Sequence, residues 1–165
     1  MAIDPGVFLS TMGNVAASVT VVTTYDGDEP QGLTVSAFSS VSLDPPLVLA
    51  CVGNESTSLP ALRAHGGFSV SFLAEGAAEE ALIMASKELP KFSLVPHRAP
   101  ANPIAGPILE EHSFAYFECE TTDLIQAGDH VVLIGRVIAA RHLDGRPPLV
   151  WFRKTFVEIS DPRQS

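Results

Sequence analysis

Apolar and small hydroxylated residues alternate through Leu33-Thr34-Val35-Ser36-Ala37-Phe38-Ser39-Ser40-Val41. A period of two puts successive side chains on opposite faces of an extended chain. Residues 33–41 are therefore predicted as one strand, its Thr and Ser face lining a concavity while the other face packs inward. Pro45-Pro46 cannot supply two ladder donors and ends that strand in a turn. The apolar run 47–52 is predicted as the next strand, buried throughout.

The same patterns organise the rest of the chain. Asp4 followed by Pro5 marks a helix start, with Val7, Phe8, Met12 and Val15 near one face, to be covered by the sheet or by a partner. Residues 18–24 are rich in Val and Thr and lead through Asp26-Gly27, a hairpin signal, toward Gly32. Ser56, Thr57 and Ser58 precede residues 59–64, predicted as a short capped helix closed by Gly66-Gly67. Residues 68–73 alternate as a strand, and Ala78, Ala81, Leu82 and Ala85 recur at helical spacing behind Gly76. Residues 87–107 carry Pro90, Pro96, Pro100, Pro103 and Pro107, so a long irregular loop is expected there. Residues 108–122, 130–143 and 148–159 are predicted as further strands, separated by Gly128-Asp129 and Asp144-Gly145. About six long strands and two or three helices, with no repeat and no linker, predict one mainly β domain over residues 1–165. Antiparallel strands joined by hairpins suit a barrel better than a doubly wound sheet.

A domain of 165 residues buries roughly 70% of its unfolded surface. With 46% hydrophobic and 18% charged residues, some apolar surface is left for a partner subunit, which favours an oligomer. The net charge of −9 and the lack of clustered Lys and Arg argue against nucleic acid as a partner. Cys51 and Cys119 sit in apolar stretches without a partner at metal-binding spacing, and are expected to be buried free thiols in a reducing compartment. The first residues lack a basic segment and no apolar run approaches the ~18 residues of a membrane span. A cytoplasmic protein with no membrane attachment is expected.

The chain contains no Gly-x-Gly-x-x-Gly, no Walker-type loop and no Gly-x-Ser-x-Gly elbow. The histidines at 65, 97, 112, 130 and 142 have no companion at metal-ligand spacing, so no metal site is read. Thr34 and Ser36 alone fit an ordinary half-exposed strand face. Ser56, Thr57 and Ser58 fit equally a plain cap or an anion site at a helix start. His130 alone fits a solvent-facing turn residue, and Arg153 a surface cation.

Four ordered pieces change that balance: Ser18-Val19-Thr20-Val21-Val22-Thr23-Thr24, the run from Gly32 to Pro46, Lys91-Phe92, and Gly128-Asp129-His130 ahead of an apolar strand. Together they resemble the flavin reductase family with the FMN-binding split-barrel fold, whose members similar to this chain are small reductase components of two-component flavin monooxygenases. The resemblance runs from about Phe8 to Phe156. It implies an antiparallel six-stranded split β-barrel of Greek-key type with a few flanking helices. The implied activity is NAD(P)H:flavin oxidoreductase, with FMN or FAD and NADH or NADPH, in a homodimer that supplies reduced flavin to a partner monooxygenase. The rival is a non-catalytic flavin-binding carrier or sensor.

By the same resemblance, Gly32, Leu33, Thr34, Val35, Ser36 and Ala37, with Phe38, Ser39 and Ser40, cradle the isoalloxazine and ribityl chain, and Cys51 and Val52 adjoin them. Backbone groups of a strand edge can supply the hydrogen bonds that a flavin ring needs. Lys91 and Phe92 match a pair near the flavin phosphate and ring, with Ser56, Thr57 and Ser58 as further phosphate donors. His130 is placed by the nicotinamide, orienting NAD(P)H over the flavin, and Asp129 fixes its turn. Trp151-Phe152-Arg153-Lys154-Thr155-Phe156 resembles the family's terminal aromatic-Arg-Gly-x-aromatic segment beside the cofactors, which brings in Arg153 and Phe156. Two departures stand out: Glu88-Leu89-Pro90 precedes Lys91 where Asp is commoner, and Lys154 stands where Gly is usual.

Overall fold

The alternating run 33–41 folds as two strands, and the whole sheet follows from where it breaks. The computed structural model describes residues 3–143 and 145–159; Asp144 of the predicted Asp144-Gly145 turn lies outside them, as do residues 1–2 and 160–165. In chain order the elements are α1 (Pro5–Met12), β1 (Ala17–Ser18), β2 (Thr20–Asp26), β3 (Glu29–Val35), β4 (Phe38–Leu43), β5 (Pro46–Gly53), α2 (Leu59–His65), β6 (Gly67–Leu73), α3 (Ala78–Ala85), α4 (Lys91–Leu94), β7 (Ser113–Ala127), β8 (His130–His142), β9 (Val150–Phe152) and β10 (Thr155–Val157). Seven of these strands form one sheet, ordered β3-β2-β6-β7-β8-β5-β4, and β1, β9 and β10 form a small second one. Every pairing is antiparallel. The mainly β expectation holds, but the large sheet is seven-stranded and open, not a closed six-stranded barrel.

Pairing to β2 stops at Val35 and pairing to β5 starts at Phe38. Between them the chain turns at Ser36-Ala37, with the Phe38 N–H donating back to the Ser36 carbonyl at 3.1 Å and the Cys51 N–H donating to the Ala37 carbonyl at 2.9 Å. The two edges of the sheet are thus consecutive in sequence, joined by two small exposed residues. One face of β2, β3, β5, β6, β7 and β8 converges on a single cluster containing Val22, Val35, Ala50, Phe68, Cys119 and Leu133, with Leu59 and Leu62 of α2. The sheet therefore curls around that cluster, each large buried side chain contributing about 1.5–3 kcal/mol. Its other face carries a second cluster, in which Val19 and Val21 meet Ala81 and Met84 of α3 and Leu109.

Three further expectations are corrected. Residues 148–159 are two strands, because Arg153 (φ 50°) and Lys154 (φ 62°) both adopt the left-handed turn that pairs Phe152 with Thr155. β5 is not buried throughout: Val48, Ala50 and Val52 face the core, while Leu47, Leu49 and Cys51 are half-exposed on the other face. Cys119 is buried as expected and its thiol is pushed up to about 12, first by burial and then by the neighbouring Glu118, but Cys51 is not buried. The cap on α1 forms, Asp4 Oδ1 accepting from the Gly6 N–H at 2.6 Å, yet no residue of that helix is buried.

The proline-rich loop contains a one-turn helix, α4, and is pinned across β2, β6 and β7 by buried polar groups. Thr23 Oγ1 donates to the Pro107 carbonyl at 2.5 Å, Ser69 Oγ to the Gly106 carbonyl at 2.7 Å, and the Leu109 N–H donates to Ser71 Oγ at 3.1 Å. Gly106 sits so close that an added Cβ would lie 2.2 Å from the Thr23 carbonyl oxygen. The buried Glu118 carboxylate accepts from the Ala101 and Asn102 N–H groups, both at 2.9 Å. The strands thus supply the partners that a proline-rich chain cannot find within itself.

Burial alone would raise the Glu118 carboxyl, but the Ala101 and Asn102 donors outweigh it, aided by Arg98, and hold it below the ordinary carboxylate value. A depressed carboxyl stabilises the fold above its unfolded value near ~4.3, and that stability is lost as pH falls through the folded value. Glu118→Gln is expected to cost about 1.5–3 kcal/mol at neutral pH. Thermal melts should show the gap to wild type narrowing in acid, whereas a gap independent of pH would mean that the charge plays no part.

Candidate functional site

Gly32 lies opposite Thr23 on the outermost strand of the sheet. Its carbonyl accepts from Lys91 Nζ at 2.7 Å and from Ser58 Oγ at 3.1 Å. An edge carbonyl that is being buried needs donors from outside the ladder, and here α4 and the residue before α2 supply them. Burial lowers the pKa of the Lys91 ammonium. A Cβ on Gly32 would stand 2.7 Å from Met84 Cε and 3.1 Å from both Phe92 Cζ and Thr23 Cγ2. Only glycine lets α3 and α4 close on the strand at this point.

A cleft of about 320 Å³ opens beside this contact, lined by Glu29, Pro30, Gln31 and Gly32 of β3, by Thr57, and by Lys87, Leu89, Pro90, Lys91, Phe92 and Ser93. That is near the lower end of ligand-site volumes, ~300–1,000 Å³. Two of the chain's three lysines border it. Two ammonium groups, a threonine hydroxyl and an aromatic ring suit a phosphate attached to something flat.

Of the residues anticipated for a cofactor, Gly32, Thr57, Lys91 and Phe92 meet in this cleft. Ser58 is buried and committed to the Gly32 carbonyl, so it makes no side-chain cap on α2, and Ser56 Oγ accepts from the Ser58 N–H at 3.3 Å. The other anticipated residues spread along the sheet. Leu33, Val35 and Val52 point into the core. Thr34 does not line a concavity: its hydroxyl donates to the Ala81 carbonyl at 2.6 Å and ties α3 to β3. Ser36 and Ala37 are exposed at the turn between the sheet edges, Ser39 and Ser40 are exposed on β4, and Phe38 packs edge-on against Phe72 at 5.1 Å. Cys51 lies next to that turn through its N–H.

His130 is the first residue of β8, opposite Gly53, and does not line the cleft. Its Nδ1 lies 2.8 Å from Asp129 Oδ1, a contact that lowers the Asp129 carboxyl. The turn is fastened to the end of β5: the Asn54 N–H donates to the Asp129 carbonyl at 2.9 Å, and Gln126 Nε2 donates to Asn54 Oδ1 at 3.1 Å. Residues 53–58 therefore carry the His130 turn at one end and Thr57 and Ser58 at the other. Arg153 is also outside the cleft: its Nε donates to Asn14 Oδ1 at 2.8 Å and its guanidinium lies 5.0 Å over the Phe152 ring. Phe156 packs on Trp151 at 5.0 Å in the outer cluster, to which Phe92 also belongs.

Glu29, Pro30, Gln31, Lys87, Leu89, Pro90 and Ser93 were not anticipated. The available signal was the scarcity of lysine, with Lys87 and Lys91 four residues apart in a loop already marked as irregular. Among the described residues no group of three His, Cys, Asp or Glu could hold a metal ion, and no helix is long and apolar enough to cross a membrane.

The family described as "Flavin reductase like domain" matches residues 12–160. A flavin reductase (NADH) of Kitasatospora aureofaciens is 36% identical over 166 residues, which cover 98% of this chain and 86% of that one. The reductase subunit of a flavin-dependent monooxygenase of Mycobacterium tuberculosis is 35% identical over 159 residues, 95% of this chain and 83% of that one. Among solved structures, an NADH:FAD oxidoreductase of Streptomyces globisporus in complex with NAD and FAD fragments superposes with a TM-score of 0.89 at 32% identity, covering 98% of both chains.

Gly32→Ala is expected to destabilise the fold by about 1–3 kcal/mol, because Phe92 and Thr23 must give way even if the Met84 methyl swings aside. Urea denaturation checks this. An unchanged midpoint would show that α3 and α4 do not close on β3 at this position.

Proposed function

This chain belongs to the flavin reductase like family, and on that premise we propose that it is an NAD(P)H:flavin oxidoreductase supplying reduced FMN or FAD to a partner monooxygenase. The observation that carries this is agreement along nearly the whole chain with proteins named as flavin reductases, one of them as the reductase subunit of a monooxygenase. A bound flavin would supply the acceptor for the hydride of NADH or NADPH.

The residues of the site fit such a group. Lys91 keeps two N–H donors beyond the one given to Gly32, and an anion beside it offsets the burial that depresses its ammonium. Thr57 adds a hydroxyl and Phe92 an aromatic face. Ser36 and Ala37 are exposed at the turn and Ser39 and Ser40 lie on the edge strand β4, where backbone groups can meet the polar edge of a ring. His130 has its Nδ1 engaged by Asp129, which turns Nε2 toward whatever binds beside Gly53. In this reading His130 aligns the nicotinamide, and alignment alone can contribute several kcal/mol to a hydride transfer. Arg153 and Phe156 stiffen the small sheet and serve the cofactors from there.

We further propose one domain spanning residues 1–165, a homodimer and a cytoplasmic setting. Phe8, Leu9 and Met12 on the uncovered α1, 54%, 65% and 49% exposed, support a subunit interface, and the two free thiols support a reducing compartment.

Steady-state oxidation of NADH and NADPH with FMN, FAD or riboflavin tests the activity. Turnover is expected, and tight flavin binding without turnover would leave a carrier or sensor instead. His130→Ala is expected to lower kcat/KM for the dinucleotide by about two- to hundred-fold while flavin affinity stays nearly intact. Stopped-flow reduction separates a weaker dinucleotide Kd from a slower hydride step, and wild-type values for both would reduce His130 to a turn residue.

A further inference from the structure

His130 sits where the apolar core cannot hold it. Residues 125–130, the end of the hairpin of β7 and β8, are all exposed, and so is Asn54 beside them. Ala127 pairs with His130, so Gly128 and Asp129 form a two-residue turn, with Gly128 in the left-handed region (φ 61°). A ring at such a tip keeps one direction only if the peptide units under it are held.

Three consecutive carbonyls are held here. Gln126 Nε2 donates to the Gly128 carbonyl at 2.9 Å and to the His130 carbonyl at 3.1 Å, and the Asn54 N–H donates to the Asp129 carbonyl between them. The same nitrogen donates to Asn54 Oδ1 at 3.1 Å. All three of its partners are acceptors, which settles the amide orientation with nitrogen toward the turn. One side chain thereby joins β7, the turn, the first residue of β8 and the segment after β5. Ordering an exposed glutamine costs side-chain entropy, and water would satisfy its amide as well. What the arrangement secures is the main chain on both sides of the His130 ring, whose Nδ1 meets Asp129 and whose Nε2 lies 3.8 Å from where a Cβ on Gly53 would stand.

We propose that Gln126 is a positioning residue for hydride transfer, acting through His130: it holds the turn so that the imidazole stays aimed at the nicotinamide. The inference rests on the flavin reductase reading and on His130 as the residue that aligns the dinucleotide. Gln126 does not line the cleft beside Lys91, so flavin affinity lies outside its reach.

The test is Gln126→Met, which keeps the length and removes both donors, alone and combined with His130→Ala in the full chain. Stopped-flow reduction by NADH, with FMN or FAD bound, is expected to show the hydride step slowed about fivefold, the effect of losing one neutral hydrogen bond. Flavin affinity and melting temperature are expected to stay near wild type. On top of His130→Ala the substitution is expected to add nothing, because the ring it positions is gone. A wild-type hydride rate in Gln126→Met overturns the proposal. So does an equal loss in the His130→Ala background, which would mean that Gln126 acts elsewhere. A parallel loss of flavin affinity or of thermal stability also overturns it, since Gln126 would then be a prop of the fold. NMR of the histidine ring nitrogens, without dinucleotide, reads the same point without turnover: the His130 signal is expected to shift or broaden in Gln126→Met, and an identical signal overturns the proposal. Failure of the wild type to oxidise NADH or NADPH with any flavin would defeat the reductase reading, while the NMR comparison would still decide whether Gln126 holds His130.

Discussion

A curled sheet that stays open leaves an outermost strand with unpaired carbonyls, and the geometry of the site depends on how one of them, that of Gly32, is satisfied. Leaving a buried carbonyl without a donor costs about 1–3 kcal/mol. Lys91 and Ser58 come from two separate segments later in the chain, one from the proline-rich loop and one from the stretch ahead of α2, and both donate to the same oxygen. One acceptor therefore fixes three elements at once. The missing Cβ completes the arrangement by admitting Met84 and Phe92 to contact. Two residues along, Thr34 does for α3 what Gly32 does for α4, through its bond to the Ala81 carbonyl. The cation of the site is thus held by a structural requirement of the sheet before any ligand arrives.

The loop bearing that cation is fastened unevenly. From Val95 to Leu109 it is bound down by Glu118, Ser69, Thr23 and Ser71, all buried. From Ser86 to Leu94 its bonds are local, as in the Ser86 hydroxyl accepting from the Glu88 N–H at 3.1 Å, apart from the single reach of Lys91 to β3. Segments with few buried contacts open at the lowest free-energy cost. The half that lines the cleft can therefore adjust to a ligand while the other half stays as scaffold.

The sequence showed the strand content well and the breaks poorly. Val and Thr content located β2 and alternation located β6, two strands that each pair on both sides. The break at Ser36-Ala37 was missed although Val35 and Phe38, three residues apart and so on opposite faces of any single strand, both return to the same core; the small residues between them carry no breaker signal of their own. The turn at Arg153-Lys154 was missed because neither residue is one that favours a left-handed conformation; the usual Gly at 154 would have signalled it. At the site, Lys91-Phe92 was legible only through resemblance. Ser58 and Thr34 were misread for one reason: a hydroxyl before a helix or on a strand face has several local partners, and which carbonyl it meets is decided by tertiary packing.

His130 and the lysine cleft look unrelated in sequence, yet β5 and the segment after it relate them closely. Gly53 pairs with His130, and four residues later Thr57 borders the cleft. Four residues cannot span more than about 14 Å even when fully extended, so a ligand gripped at Thr57 has its other end within reach of the His130 turn. Asn54 makes that turn rigid through its bonds to Asp129 and Gln126, and Ser58 makes the cleft end rigid through Gly32. Both ends of the segment are therefore set by backbone and buried side-chain bonds rather than by a ligand. Under the proposed activity this is the condition hydride transfer imposes, since a displacement of ~1 Å between donor and acceptor can cost on the order of a hundredfold in rate. The same logic explains why positioning can come from a half-exposed histidine: its place is fixed by the strand it begins and by its contact with Asp129.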